Sequence, residues 1–312
     1  MERMTERKIV LVTRETRLDD LIFRYNTLNQ ARFYIEHLGA DFTDYLTEDQ
    51  TYKASVSEAR SVLGRLGRVQ ELHRNHLPGF VFGDDDIVVV LGQDGLVANT
   101  LKYLTTQPVT GVNPDPGRWD GILLPFQVPD LGLIIPEVLS GKRETTAITM
   151  AEARLQDGQR LLAVNDLFIG ASSHVSARYS ISVDGQREDH SSSGVIVSTG
   201  LGATGWLKSI ITGAAGIVST ISGTPLDLGS SPPLDWNARA LFYSVREPFP
   251  SQTTAASMVF GKITEQESMA LESRMPGHGV IFSDGVESDY LQFNSGMTAR
   301  IAVADQVGHL VV

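Results

Sequence analysis

Five consecutive apolar residues, Ile87 to Leu91, run into the polar turn Gly92-Gln93-Asp94-Gly95. Apolar positions then recur at Val97, Ala98, Leu101 and Leu104. An apolar run of this length bounded by turn residues predicts a strand buried on both faces, and the spacing after it predicts a helix. Lys8 to Thr13 predicts a first strand of the same kind. Leu18, Leu21, Ile22, Tyr25 and Leu28 predict one helix that stops at Gly39. Ser55-Val56-Ser57-Glu58 has the form of a capping box and predicts a helix through Val62, Leu66, Val69 and Leu72, ended by Pro78-Gly79. Val109 to Val112 is a further short strand leading to a loop at Asn113. Strand, helix and strand in this order predict a parallel sheet with helices on its faces.

Beyond Gly141 the period changes to two. Ala147, Ala151, Ala153 and Leu155 alternate with Ile148, Met150, Glu152 and Arg154, Asp157-Gly158 is a hairpin signal, and Leu161 to Ile169 returns as one strand. Val175, Ala177, Tyr179, Ile181 and Val183 alternate with polar residues up to a second turn at Asp184-Gly185. Further strands are expected at Gly194 to Thr199, Leu241 to Val245, Met258 to Gly261, Val280 to Ser283 and Tyr290 to Phe293, and a Ser/Gly/Pro-rich loop from Ser219 to Trp236. The fold class expected is therefore α/β: a parallel-sheet α/β domain over residues 1–140, then an antiparallel all-β domain over 141–312. The last segment is a candidate to pack back on the first domain.

Composition narrows the chemistry. The chain has 312 residues, with 26 Lys+Arg against 37 Asp+Glu, a net charge of −11. This balance argues against broad binding of nucleic acid or anionic membrane, while leaving room for a local phosphate site. There is no cysteine, which excludes disulfides, thiolate metal sites and cysteine nucleophiles. No segment has the apolar length of a membrane span. The charged start, Met1 to Lys8, is followed by too short an apolar run for a signal-peptide core, so a cytoplasmic protein is the expectation. The seven His are scattered apart from His73 and His76, whose spacing is poor evidence for a metal.

Four stretches carry candidate chemistry. Gly92 and Gly95 allow close approach of a ligand, and Asp94 would project a carboxylate beyond the end of its strand, where open α/β sheets bind ligands. The plainer reading makes Asp94 a helix cap. Asn113 before Pro114 either faces a ligand or starts a turn. Asn165 and Asp166 interrupt an apolar strand, as a bulge or as buried polar groups needing partners. Gly194 to Ser209 is a strand, a Gly/Ser/Thr loop and a helix start. It binds a ligand or merely caps a helix.

Taken together and in order, Gly92-Gln93-Asp94-Gly95-Leu96, Gly111-Val112-Asn113, Asn165-Asp166 and Ser198-Thr199-Gly200-Leu201-Gly202-Ala203-Thr204-Gly205-Trp206 resemble the motifs of the NAD kinase family, closer to its mitochondrial type at Thr13 to Arg17. The sequence departs from that family's pattern at Gln93, Leu96, Ser193 and Leu201. The resemblance implies an α/β domain followed by a β domain. It implies transfer of the γ-phosphate of ATP, carried with Mg²⁺, to the 2′-hydroxyl of the adenosine ribose of NAD(H). By carry-over, Asp94 would be the general base, and Gly92 and Gly95 would cradle phosphates. Asn165 and Asp166 would hold a ribose. Asn113, Ser198, Thr199, Gly202, Thr204 and Ser209 would complete the nucleotide site. It also implies a homo-oligomer, dimer or tetramer, and no separate metal site. Two alternatives stay open: a non-catalytic NAD(P) sensor on the same fold, and a related kinase for a sugar-like substrate.

Overall fold

The computed structural model describes residues 3–226 and 234–312. Residues 227–233 of the Ser/Gly/Pro-rich loop lie outside them. The chain divides into two compact units, Met1–Thr146 with His309–Val312, and Ala147–Gly308.

In the first unit, β1 (Lys8–Thr13) is followed by α1 (Arg17–Tyr25), α2 (Leu28–His37), α3 (Thr43–Leu66) and β2 (Arg68–His73). Then come β3 (Ile87–Leu91), α4 (Asp94–Leu101), β4 (Pro108–Asn113), the short β5 (Phe126–Gln127) and α5 (Leu131–Leu139). The strands are parallel in the order β2-β1-β3-β4, and residues 309 and 310 pair in parallel with Pro108 and Val109. Ile9, Leu11, Val89 and Leu91 meet Ala59 and Leu63 of α3 and Leu131 and Ile135 of α5 in one core cluster. Val10, Val12, Val88 and Val90 on the opposite face are equally buried. This is the parallel sheet, buried on both faces, that the unbroken apolar runs predict.

Two helices differ from the expectation. The single helix from Leu18 is two, because Asn26 takes a left-handed conformation (φ 66°) and Thr27 caps a new start by accepting from the Gln30 N–H. The Ser55–Glu58 capping box lies inside α3, which begins at Thr43, where Asp41 accepts the Thr43 N–H at 2.8 Å. Ser55 instead donates to the Pro114 carbonyl. The same helix ends at Gly67, and Val69 and Leu72 belong to β2. A Cβ on Gly67 would stand 2.9 Å from Ile9 Cδ1, so this glycine lets the chain turn close against β1.

The second unit takes β6 (Thr145–Leu155) from Ala147 onward, then β7 (Arg160–Ala163), β8 (Asp166–Ala171), β9 (Ala177–Val183), β10 (Gln186–Ser192) and β11 (Val195–Ser198). After α6 (Trp206–Ser222) come β12 (Ala240–Val245), β13 (Phe260–Thr264), β14 (Met269–Ser273), β15 (Gly279–Ser283), β16 (Val286–Gln292) and β17 (Thr298–Val311). Six strands form an antiparallel sheet, β13-β12-β11-β8-β15-β16, and β10-β9-β14-β17 form another antiparallel run. Tyr179, Ile181 and Leu271 pack with Ile169, Val197 and Ile281 in one core between them. Trp206 and Ile210 of α6 pack on the other face of the six-stranded sheet, against Phe168, Ile196 and Val280.

The second unit is thus antiparallel β, as the alternation predicts, but with a helix of 17 residues reaching into the stretch from Ser219 expected to be loop. Leu161 to Ile169 is two strands broken at Val164 and Asn165. Strands β14 and β17 were not anticipated.

Gly111 shows how tightly β4 is packed. A Cβ there would fall 2.0 Å from the Leu123 carbonyl oxygen, and backbone cannot move aside as a side chain can. Gly111→Ala is expected to cost about 2 kcal/mol or more. Chemical denaturation of the variant measures it, and an unchanged midpoint would contradict the close approach.

Candidate functional site

In the first unit, Asp94 is the first residue of α4, with Gln93 rather than Asp94 at the capping position. Its Oδ1 accepts the Leu123 N–H at 2.7 Å, and Oδ2 carries no hydrogen bond among the described residues. The side chain is half-buried. It is therefore anchored through one oxygen and open at the other. Gly92 is buried and donates its N–H to the Val112 carbonyl at 3.2 Å. A Cβ on it would lie 2.8 Å from Leu96 Cδ2. Leu96, which replaces a hydroxyl residue of the family pattern, thus points into the fold, 4% exposed. Gly95 is exposed with open space around it. Asn113 is buried and closes its own loop: Oδ1 accepts the Asp115 N–H and Nδ2 donates to the Trp119 carbonyl, both at 3.0 Å. This is the turn-starting role.

Arg14, unremarked as a candidate in the sequence, runs beside this turn. Its Cδ lies 3.8 Å from a Cβ placed on Gly92. The guanidinium is buried against Glu48 at 3.1 Å, and Glu48 also receives Arg17. The Tyr52 hydroxyl accepts the Arg14 N–H and donates to the Leu91 carbonyl, so the ends of β1 and β3 are tied through one phenol. His73 pairs with Glu15 at 3.0 Å.

In the second unit, Asn165, Asp166, Ser198, Thr199 and Gly202 come together. Ser198 and Thr199 are fully buried. The Ser198 hydroxyl donates to Asp166 Oδ1, and Thr199 Oγ1 donates to the Val164 carbonyl at 2.6 Å. A Cβ on Gly202 would fall 2.1 Å from the Asn165 carbonyl oxygen, so only glycine fits there. The Asn165 side-chain amide makes no hydrogen bond among the described residues. Burial, with the Asp284 carboxylate beside it, pushes Asp166 up to about 7, against the pull of the Ser198 hydrogen bond. Thr204 and Ser209 stand apart, exposed, their hydroxyls turned back on the Leu201 and Gly205 carbonyls.

The same unit holds a cavity of about 650 Å³ lined among others by Phe168, Trp206, Phe282, Arg246, His174 and His278. Phe168 stacks between Trp206, at 6.0 Å, and Phe282, at 4.8 Å, and Arg246 lies 5.4 Å over the indole. Apart from Trp206, which ends the loop motif, nothing in the local sequence signals these residues, because they come from separate strands and loops far apart in the chain.

No family model matches the chain. It is similar to the NAD kinases of Paraburkholderia phytofirmans, 33% identical over 132 residues, and Burkholderia multivorans, 34% over 134. Each match covers 40% of this chain and 43% of the relative, so the matched stretch is less than half the length of either. Among solved structures, an NAD kinase from Archaeoglobus fulgidus in complex with ATP superposes with a TM-score of 0.59 at 13% identity, covering 98% of this chain and 93% of that one. Yeast NADH kinase complexed with NADH gives 0.60 at 14%, covering 99% and 84%. The chain has the NAD kinase fold. Its sequence resemblance to NAD kinases and its structural likeness to them agree.

Asp166 generates a pH prediction. In the unfolded chain an aspartate releases its proton near pH 4, about 3.9, whereas here it holds it to about 7. Between those values the folded state carries the extra proton, so stability falls as pH rises. The contribution, on the order of a few kcal/mol, is whole below about pH 4 and lost above about pH 7. Asp166→Asn, which cannot titrate, is expected to flatten the decline in melting temperature between pH 5 and 8. Equal slopes in the two proteins would refute the assignment.

Proposed function

We propose that the protein is an ATP-dependent kinase of NAD or NADH that forms the 2′-phosphate. The observation that carries this reading is Asp94, a carboxylate fixed through Oδ1 and open at Oδ2 at the head of α4. A ribose hydroxyl is a weak nucleophile, and a held carboxylate takes its proton as the bond to phosphorus develops. The NAD kinase fold and the partial sequence match support the reading.

On this reading the unpaired Asn165 amide donates to one ribose oxygen while the neighbouring carboxyl accepts from another. The exposed Gly95 at the first turn of α4 offers backbone near the phosphates, as helix N-termini do. Gly92, whose N–H is spent on the sheet, contributes close packing. Phosphoryl transfer needs alignment and charge neutralisation above all. On this reading Mg²⁺ arrives with ATP, carried on its phosphates as part of the substrate. The aromatic cavity is the second unit's candidate for holding a planar ring of the dinucleotide.

Purified protein with MgATP and NAD or NADH is expected to yield NADP or NADPH. Asp94→Asn should lower turnover by at least a hundredfold and leave NAD binding in place. Wild-type protein that binds NAD without turnover would support the sensor instead, and activity retained in Asp94→Asn would remove Asp94 from its role.

A homo-oligomer, dimer or tetramer, belongs to the same proposal. Ile217, Val218 and Ile221 of α6 are 62%, 49% and 83% exposed, and Lys208 is the one charged residue of that helix. Three large apolar side chains exposed within five residues of one helix call for cover. Light scattering on the eluted protein is expected to give at least twice the 34.0 kDa chain mass, and a monomer would contradict it.

A further inference from the structure

Asp284 lies in the turn between β15 and β16, where it and Gly285 both take left-handed conformations, φ 53° and 73°. Its carboxylate does not face its own hairpin alone. It reaches the break between β7 and β8 and accepts three backbone N–H groups there: Val164 on Oδ2 at 3.0 Å, and Asn165 and Asp166 on Oδ1 at 2.7 and 3.2 Å. In return the Asp284 N–H donates to the Asp166 carbonyl at 3.0 Å. The Val164 and Asn165 carbonyls are taken by the Thr199 hydroxyl and N–H. Every backbone polar group of Val164, Asn165 and Asp166 is thus spent within the unit, and the Asn165 side-chain amide has no hydrogen-bond partner among the described residues.

We infer that Asp284 is the positioning residue of the nucleotide site: its carboxylate sets the backbone from which Asn165 and Asp166 present donor and acceptor to a vicinal diol. The inference rests on the kinase reading above, which assigns that pair to the ribose. Asp284 touches no substrate and acts through the pair. The carboxylate is suited to this because it is acceptor-only. An asparagine in its place keeps one acceptor oxygen. If that oxygen serves Asn165 and Asp166, its amide meets the Val164 N–H donor against donor. A buried N–H left so costs more than a lost hydrogen bond, and the loop shifts.

The test is a double-mutant cycle on full-length protein, with affinities for NAD and for ATP measured by calorimetry and melting temperature recorded for each variant. Asp284→Asn and Asn165→Ala are each expected to weaken NAD tenfold or more. The double variant should lose clearly less than the product of the two single losses, because Asp284 acts in part through Asn165. ATP affinity should stay within twofold throughout, a split that general loss of structure would not produce. Should Asp284→Asn not fold, Asp284→Gly, which suits the positive φ, takes its place in the cycle. NAD affinity kept in the Asp284 variant but lost in Asn165→Ala overturns the inference and spares the kinase reading. Losses that multiply in the double variant also overturn it. Wild-type protein that binds ATP and neither NAD nor NADH overturns both.

Discussion

A polypeptide that breaks off a strand inside a β layer exposes N–H and C=O groups that water no longer reaches, and each must find a partner. At Val164 to Asp166 this demand is met from two directions, by one carboxylate for the donors and one threonine for two of the acceptors. The arrangement leaves no volume to spare, which is why residue 202 has no side chain. The loop from Ser198 to Gly202 and the turn at Asp284 are therefore not independent features. Each is where it is because the break needs it, and the polar pair is displayed as a consequence.

The electrostatics follow from the same closure. Two carboxyl groups share a confined space, and the cheaper solution is for one to keep its proton. Asp284 has three N–H groups on it. Asp166 is pushed up, its Oδ1 accepting from Ser198. The first unit resolves its buried charge differently. Arg14 and Glu48 are both almost wholly buried and pair with one another, with Arg17 as a further cation on the same glutamate. A buried pair contributes little net stability but is expensive to break, so it fixes where the chain leaves β1. Among the described residues Asp94 has neither a cation nor a carboxylate as partner, only the Leu123 N–H.

Much of this was legible in the sequence. The uninterrupted apolar runs at Lys8 to Thr13 and Ile87 to Leu91 could only be strands covered on both faces, and the period-two stretches of the second half could only be half-covered ones. What failed was local competition. Ser55 to Glu58 has capping letters, but the helix already starts at Thr43, whose N–H donates to Asp41, and Ser55 bonds Pro114 across the unit. Val69 and Leu72 keep a helical spacing after Gly67 has turned the chain into an edge strand. Trp206 to Ser222 carries two glycines and four β-branched isoleucines among its residues, a poor helix by propensity, yet packs as one. The alternation Ala299, Ile301, Val303 was there to be read in β17. Within the site, the motifs marked Asp94, Asn165, Asp166, Ser198 and Thr199. They did not mark Asp284, since a residue acting on a loop 120 positions away leaves no spacing to read.

The departures from the family pattern are best understood as packing. A threonine or serine at 96 would offer a hydroxyl, but this position is inside the fold, and the leucine fills the space that Gly92 leaves empty. Glycine at 92 and leucine at 96 are two halves of one contact. Enlarging either without shrinking the other would force α4 away from the end of β3. Asp94 lies between them on the first turn of that helix. The side chain that takes the place of a hydroxyl thus holds the carboxylate in register, and on the kinase reading the phosphates must be met by what the turn still exposes: Gly95, Gln93 and the open N-terminal end of α4.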